Sequence, residues 1–307
     1  MTHRITTLTR QIVVSVAVVL LLTAAAAAAG VYPNGHLLAE PSWLAENLNQ
    51  PNLVIIDARS KSAYDTAHIP GAVRIPGSGS INDPNAPVDG WLLGPEDFQD
   101  LMRQIGVNAD STVVIYHNES DASATRIFYA LELYGHFDKV KVLNGGWAAW
   151  VAERRPITNV VPQPAPGNFT ATLVPERIAT ADYIAEKIGE VTIIDARSEG
   201  EHTGETIREG VARGGHIPTA IHLEWTNNLE DGRFKSADEL FAMYSGIGAD
   251  PDDEIIAYCQ TNVRSSHTYF TLRLLGYENV RPYEGSWAEW GNLENVPIEA
   301  GHSSIGL

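Results

Sequence analysis

The chain has 307 residues, of which 44% are hydrophobic, 19% charged and 8% aromatic, a balance that excludes disordered, collagen-like and low-complexity proteins. It is long enough to bury two cores. Lys and Arg number 21 against 38 Asp and Glu, a net charge of −17 with no basic cluster, which argues against nucleic acid as a partner.

Residues 1–29 read as a secretory signal peptide. Arg4 and Arg10 come before an apolar run from Ile12 to Leu22, and Ala27 and Ala29 form an A-x-A cleavage pattern. The alternative is an uncleaved membrane anchor, since Ile12 to Ala29 supplies an uncharged stretch close to the roughly 20 residues that span a bilayer. Cleavage at Ala29 predicts an exported, periplasmic or secreted monomer with no stable membrane association. Cys259 is the only cysteine, so no internal disulfide forms and stability must come from the core.

Beyond the leader the chain repeats itself at a period of about 140 residues, longer than solenoid repeats use, so the unit is a whole domain. In chain order, the first copy carries Val54-Ile55-Ile56-Asp57-Ala58-Arg59-Ser60, His68-Ile69-Pro70-Gly71-Ala72, Val113-Val114-Ile115-Tyr116-His117 and Gly145-Gly146-Trp147-Ala148-Ala149-Trp150. Val161-Pro162-Gln163-Pro164-Ala165-Pro166-Gly167 then breaks regular structure. The second copy answers with Thr192-Ile193-Ile194-Asp195-Ala196-Arg197-Ser198, His216-Ile217-Pro218-Thr219-Ala220, Ile255-Ile256-Ala257-Tyr258-Cys259 and Gly285-Ser286-Trp287-Ala288-Glu289-Trp290. Short β-branched strands alternating with helical patterns predict an α/β fold, a parallel sheet covered by helices on both faces. The predicted boundaries are a first domain at 31–158, a linker at 159–175 and a second domain at 176–307, the two packing face to face.

In the second copy, Glu254 to Tyr258 reads as a buried strand and Ser265 to Leu275 as a helix with apolar Phe270, Leu272, Leu274 and Leu275. Cys259 to Arg264 is the turn between them. Ligands of open parallel sheets bind beyond the carboxyl ends of strands, where unpaired N–H groups and the helix dipole favour an anion. A thiolate there is activated, because such surroundings lower a cysteine pKa from its ordinary 8.5 to roughly 3.5–7.5. A lone cysteine is more often a small buried hydrophobe, but that reading explains neither the turn position nor the polar run Gln260, Thr261, Asn262. Ten histidines and one cysteine show no paired zinc-type spacing, so no metal is expected.

Taken together, the Asp-Ala-Arg strand ends, the two His-Ile-Pro segments, the strand–Cys–loop–helix and the Gly-x-Trp endings resemble the tandem-domain sulfurtransferases of the rhodanese family, over essentially the whole mature length. The resemblance implies two rhodanese-like domains, each a five-stranded parallel sheet with helices on both faces, and an active loop only in the C-terminal copy. The first copy has His117 where the second has Cys259, and is expected to be catalytically silent. The implied mechanism makes Cys259 the nucleophile, which takes the outer sulfur of a small-molecule donor as a persulfide and passes it to a thiophilic acceptor, with no metal or organic cofactor. Gln260, Thr261, Asn262, Val263 and Arg264 form the loop around that sulfur, with Arg264 binding a sulfonate oxygen.

Arg213, in an insertion absent from the first copy, joins the expected substrate set, with a weaker claim for Arg208. Asp195–Arg197 and Asp57–Arg59 read as structural ion pairs because they occur in both copies. His68 and His216 read as turn residues, with His68 also a candidate for the wall of an interdomain cleft, and Trp147, Trp150, Trp287 and Trp290 as core anchors. Ser265 and Ser266 are candidate helix caps. Mercaptopyruvate-type members carry arginine where this chain has Glu201, and a carboxylate there repels a substrate carboxylate, which favours thiosulfate. The alternatives are a 3-mercaptopyruvate sulfurtransferase and a non-catalytic sulfur carrier or binding module. A phosphatase would need five residues between cysteine and arginine, and that position is Ser265.

Overall fold

The β-branched runs become central strands, and each hands its chain to a helix that covers the sheet. The computed structural model describes residues 30–75 and 77–302, so residues 1–29, for which a signal peptide is expected, lie outside the described residues. The first copy is built from β1 (Leu38–Ala39), α1 (Pro41–Asn47), β2 (Leu53–Asp57), α2 (Lys61–Thr66), β3 (Val73–Arg74), α3 (Pro95–Gln104), β4 (Thr112–Tyr116), α4 (Ala122–Leu133), β5 (Val140–Leu143) and α5 (Gly146–Ala152). Its sheet is wholly parallel in the order β1-β5-β4-β2-β3.

The second copy follows with α6 (Ala181–Lys187), β6 (Thr192–Asp195), α7 (Glu199–Thr203), β7 (Ile221–His222), the antiparallel pair β8 (Leu229–Glu230) and β9 (Arg233–Phe234), α8 (Ala237–Gly246), β10 (Ile255–Tyr258), α9 (Val263–Leu274), β11 (Val280–Pro282) and α10 (Ser286–Trp290). Its sheet has four strands, β11-β10-β6-β7. A single parallel bridge, Ala179 to Tyr283, stands where the first copy has β1. The fifth strand of the sequence reading is shortened to that bridge for a local reason. Pro282 occupies the place of Val142 and has no N–H to extend the ladder outward.

The two copies share one core. Phe128 of α4 meets Phe270 of α9 edge-on at 4.8 Å, and Tyr129 meets Tyr269 at 5.2 Å. Almost every residue of both helices is buried, and the hydrophobic cluster around them runs without a break from Ile56 and Ile115 to Leu272 and Val280. A buried polar knot lies within it, where Glu132 accepts from the Tyr269 hydroxyl at 2.5 Å and from Arg273 Nε at 3.2 Å. The chain ends are laced across as well. Asn34 of the N-terminal segment donates its N–H to the Leu274 carbonyl at 3.0 Å, while the proline-rich segment buries Phe169 against the first copy.

The repeated motifs hold matching scaffolds. Arg59 and Arg197 each grip their aspartate two residues back at 2.6 Å, and each guanidinium lies over a tryptophan, Trp147 at 4.0 Å and Trp287 at 4.3 Å. Tyr116 and Tyr258 donate their hydroxyls to the same two carboxylates. These are structural pairs, as the symmetry suggests. Trp150 and Trp290 are fully buried, their indole N–H groups bonded to the carbonyls of Pro156 and Pro297. His68 is also fully buried, with its ring nitrogens 2.8 Å from the Tyr64 carbonyl and 3.1 Å from that of Val160. It forms no part of an interdomain wall, because the His-Ile-Pro turn points its ring inward. His216 is likewise turned onto a carbonyl, that of His202, at 2.9 Å.

Candidate active site

Strand β10 delivers Cys259 to the carboxyl edge of the second sheet, between β6 and β11. Asn262 then adopts the left-handed conformation, φ 55°, and α9 starts at Val263, two residues earlier than the sequence pattern indicates. Asn262 takes the N-cap position, so the two serines fall in the first turn, and neither is the N-cap. Ser266 Oγ donates to the Asn262 carbonyl at 2.6 Å. Ser265 Oγ lies 3.5 Å from Cys259 Sγ and 2.8 Å from Asn262 Oδ1.

The thiol is 1% exposed. Burial pushes its pKa up, but the Arg264 guanidinium, the Ser265 hydroxyl and the amides of Ser265 and Thr261 outweigh that and leave it below the ordinary cysteine value. The thiolate therefore forms more readily here than in an ordinary cysteine, in a group otherwise shielded from water.

His117 is the structural counterpart of Cys259. The amide of Trp147 donates to the His117 carbonyl at 2.8 Å as that of Trp287 does to the Cys259 carbonyl at 3.0 Å. Its ring pairs with Asp121 on the rim of the first copy. His117→Ala is expected to keep turnover within about twofold of wild type, the range of an ordinary surface change. A steady-state assay checks this, and a large loss would give the first copy a chemical role.

Ser286 is a residue that the sequence reading missed. It is fully buried and held at φ 48°, where the first copy uses Gly146 at φ 55°. Its hydroxyl accepts the N–H groups of Cys259 at 3.2 Å and Asn262 at 3.0 Å, and donates to the Tyr283 carbonyl at 2.9 Å. The serine thus ties the start and end of the active turn together. A left-handed L-residue costs about 1–2 kcal/mol, close to what its hydrogen bonds return at about 1 kcal/mol each. Ser286→Gly is therefore expected to leave the melting temperature nearly unchanged while lowering the transfer rate several-fold. Unchanged transfer would show that the turn holds itself.

Arg264 acts on the thiol through its charge, but its fork is occupied. Nη1 and Nη2 bind the two Glu201 oxygens at 2.7 and 2.8 Å. Glu201 is 2% exposed, also accepts from Arg208 Nε at 3.0 Å, and forms the capping box of α7 with Ser198. Its own burial raises its pKa, but Arg264, and after it Ser198, bring it down to about 2. Glu201 is therefore neutralised, which corrects the expectation that it repels a substrate carboxylate.

Two further site candidates are corrected. Arg213 gives its guanidinium to the carbonyls of Trp290, Gly291, Leu293 and Val296, where it ties down the C-terminal segment and leaves no fork for a substrate. Asn262 is fully buried, with its amide donated to Glu284 at 2.8 Å, so its side chain supports the loop from below. Gln260, Thr261 and Val263 remain half-buried at the turn, and Thr261 lies against Gly90 of the first copy. The first copy's contribution through Gly90 and Arg126 also went unseen, since neither lies in a repeated motif. The Ser286 position was visible as a departure from the Gly145-Gly146 pattern.

Comparison with known proteins agrees with this geometry. The rhodanese-like domain family matches residues 40–153 and 180–293. A thiosulfate sulfurtransferase of Corynebacterium glutamicum is 38% identical over 290 residues, 89% of this chain and 93% of that protein. The sulfur carrier protein TtuD of Thermus thermophilus is 38% identical over 285 residues, 88% of this chain and 99% of its own length. The crystal structure of SseA from Escherichia coli, described for the rhodanese fold and mechanism of 3-mercaptopyruvate sulfotransferases, superposes with a TM-score of 0.74 at 32% identity, covering 82% of this chain and 99% of that one. With two matched domains, relatives over nearly its whole length and a thiol at the end of the central strand, the chain belongs to the rhodanese family and is a sulfurtransferase.

Proposed function

We propose that Cys259 takes the sulfane sulfur of thiosulfate and delivers it to a thiophilic acceptor such as cyanide or a thiol. The thiolate attacks the outer sulfur, the S–S bond of thiosulfate breaks, and sulfite leaves with the bonding pair. The new Sγ–S bond is the persulfide. Acceptor attack on its outer sulfur forms the product and returns the thiolate, so electrons and charge balance in both halves. The observation that carries this reading is a buried thiol ringed by the Thr261 and Ser265 amides, the Ser265 hydroxyl and the Arg264 cation. Those donors stabilise negative charge on the sulfur as sulfite departs.

The choice of thiosulfate rests on local charge and on relatedness. Arg264 and Arg208 share the single Glu201 carboxylate, so this cluster holds one more positive charge than negative, which suits a doubly charged donor. The Corynebacterium relative is named for the same donor. We therefore expect kcat/KM with cyanide as acceptor to be higher for thiosulfate than for 3-mercaptopyruvate. The reverse order overturns the donor assignment and leaves the persulfide chemistry standing. A carrier role, as in the name of the Thermus relative, is distinguished by stoichiometric sulfur uptake from thiosulfate without turnover on cyanide.

The Arg4, Arg10 and alanine-rich leader supports action outside the cytoplasm. A mature N-terminus just after Ala29 in the exported fraction agrees with this, and an intact leader in the membrane fraction assigns it as an anchor instead.

A further inference from the structure

The active turn is held from two sides, and one side belongs to the copy that lacks a cysteine. Arg126 of α4 is fully buried. Its guanidinium donates to the Asn262 carbonyl at 3.3 Å, to the Gly90 carbonyl at 2.6 Å and to Glu284 Oε1 at 3.0 Å. Glu284 in turn accepts the Asn262 side-chain amide on Oε2 at 2.8 Å and the Leu92 N–H on Oε1 at 2.8 Å. One buried ion pair therefore joins α4 and the 90–92 segment of the first copy to the last residue of the active turn.

Gly90 shows how closely the segment approaches. It sits at φ +91°, and a Cβ placed on it would lie 2.6 Å from Thr261 Cβ and 3.0 Å from the Thr261 carbonyl oxygen. Arg126 fixes the carbonyl of this glycine, so it sets both the position of Asn262 and the surface that Thr261 rests on. The Thr261 amide is one of the donors on the thiol.

We propose that Arg126 is a positioning residue of the transfer site. Through Glu284 and Gly90, the first copy holds the Cys259–Asn262 turn in the geometry that aims its amides at sulfur. This rests on the reading of Cys259 as the nucleophile, and it gives the first copy a part in the chemistry without contact with substrate. An unpaired buried charge is costly, so stability alone would fall in a variant whatever the role. The test therefore reads the thiol itself.

The experiment uses the full chain and compares wild type with Arg126→Met and Glu284→Gln. The first readout is the pH midpoint of Cys259 alkylation by iodoacetamide. The second is the single-turnover rate of persulfide formation from thiosulfate, taken well below each variant's melting temperature. We expect both variants to move the alkylation midpoint upward. Arg126→Met should slow persulfide formation roughly a hundredfold, as a misplacement of about 1 Å does, and Glu284→Gln by less. A folded variant with a lowered melting temperature but the wild-type midpoint and rate would reduce Arg126 to a structural residue and overturn the proposal. If Arg126→Met does not fold, Glu284→Gln decides on the same readouts. A wild type that forms no persulfide from thiosulfate refutes the donor reading instead, and the alkylation midpoints still judge Arg126.

Discussion

Cys259→Ser is expected to abolish sulfur transfer while leaving the fold in place. The substitution exchanges one atom at a position that is 1% exposed, opens no cavity beyond the difference between sulfur and oxygen, and keeps a group able to accept the Thr261 and Ser265 amides. Stability should stay within about 1 kcal/mol of wild type. The chemistry cannot survive, because a serine hydroxyl remains protonated where the thiol ionises, and no persulfide forms on oxygen. Turnover of thiosulfate and cyanide by the variant, with an unshifted thermal transition beside it, checks both halves. Retained turnover would place the nucleophile elsewhere in the chain.

Arg264→Ala is expected to cut steady-state transfer sharply as well. The guanidinium lowers the thiol pKa and is held there by both Glu201 oxygens. Its removal takes away the cation and leaves Glu201, only 2% exposed, with Arg208 as its remaining charged partner. A lost charged hydrogen bond is worth about 1.5–3 kcal/mol, so kcat/KM for thiosulfate should fall roughly ten- to a hundredfold.

The pH dependence gives the sign. Transfer needs the thiolate, so the rate drops as pH falls through the thiol pKa, and the variant's midpoint lies above that of wild type. The deficit is therefore greatest in acid and narrows as pH rises. Adding Glu201→Gln to Arg264→Ala removes the stranded carboxylate and should recover part of the loss. Full recovery would mean that the arginine serves only to neutralise Glu201, and a wild-type pH profile for Arg264→Ala would remove it from the site.

Much of this site was legible because the chain repeats itself. Two occurrences of a strand ending in Asp-Ala-Arg mark the ion pair as scaffold, since Asp57–Arg59 and Asp195–Arg197 share one geometry although only the second copy carries a cysteine. The same comparison isolates Cys259 as the position where the second copy has a thiol and the first has His117. What the sequence hid were contacts between residues far apart in the chain. Glu201 and Arg264 are 63 positions apart, and either one read alone suggests a free charge. Read together, they form a pair. Arg213 looked available because its cluster of carbonyls, from Trp290 to Val296, has no side-chain signature. The start of α9 differs from the sequence pattern for a physical reason, since Asn262 enters the left-handed region and occupies the N-cap position ahead of the serines. Arg126 lies inside an apolar helical stretch, and its role depends on a partner, Glu284, that is 158 residues away.

The central claim is that sulfur passes through a covalent bond to Cys259, and the mass of the protein tests it most directly. After incubation with thiosulfate and removal of small molecules, the wild-type chain should gain the mass of one sulfur atom. The gain should map to the peptide containing Cys259, be absent from Cys259→Ser, and be lost on addition of cyanide. An unchanged mass alongside normal turnover would contradict the account, because sulfur would then move from donor to acceptor without resting on the protein.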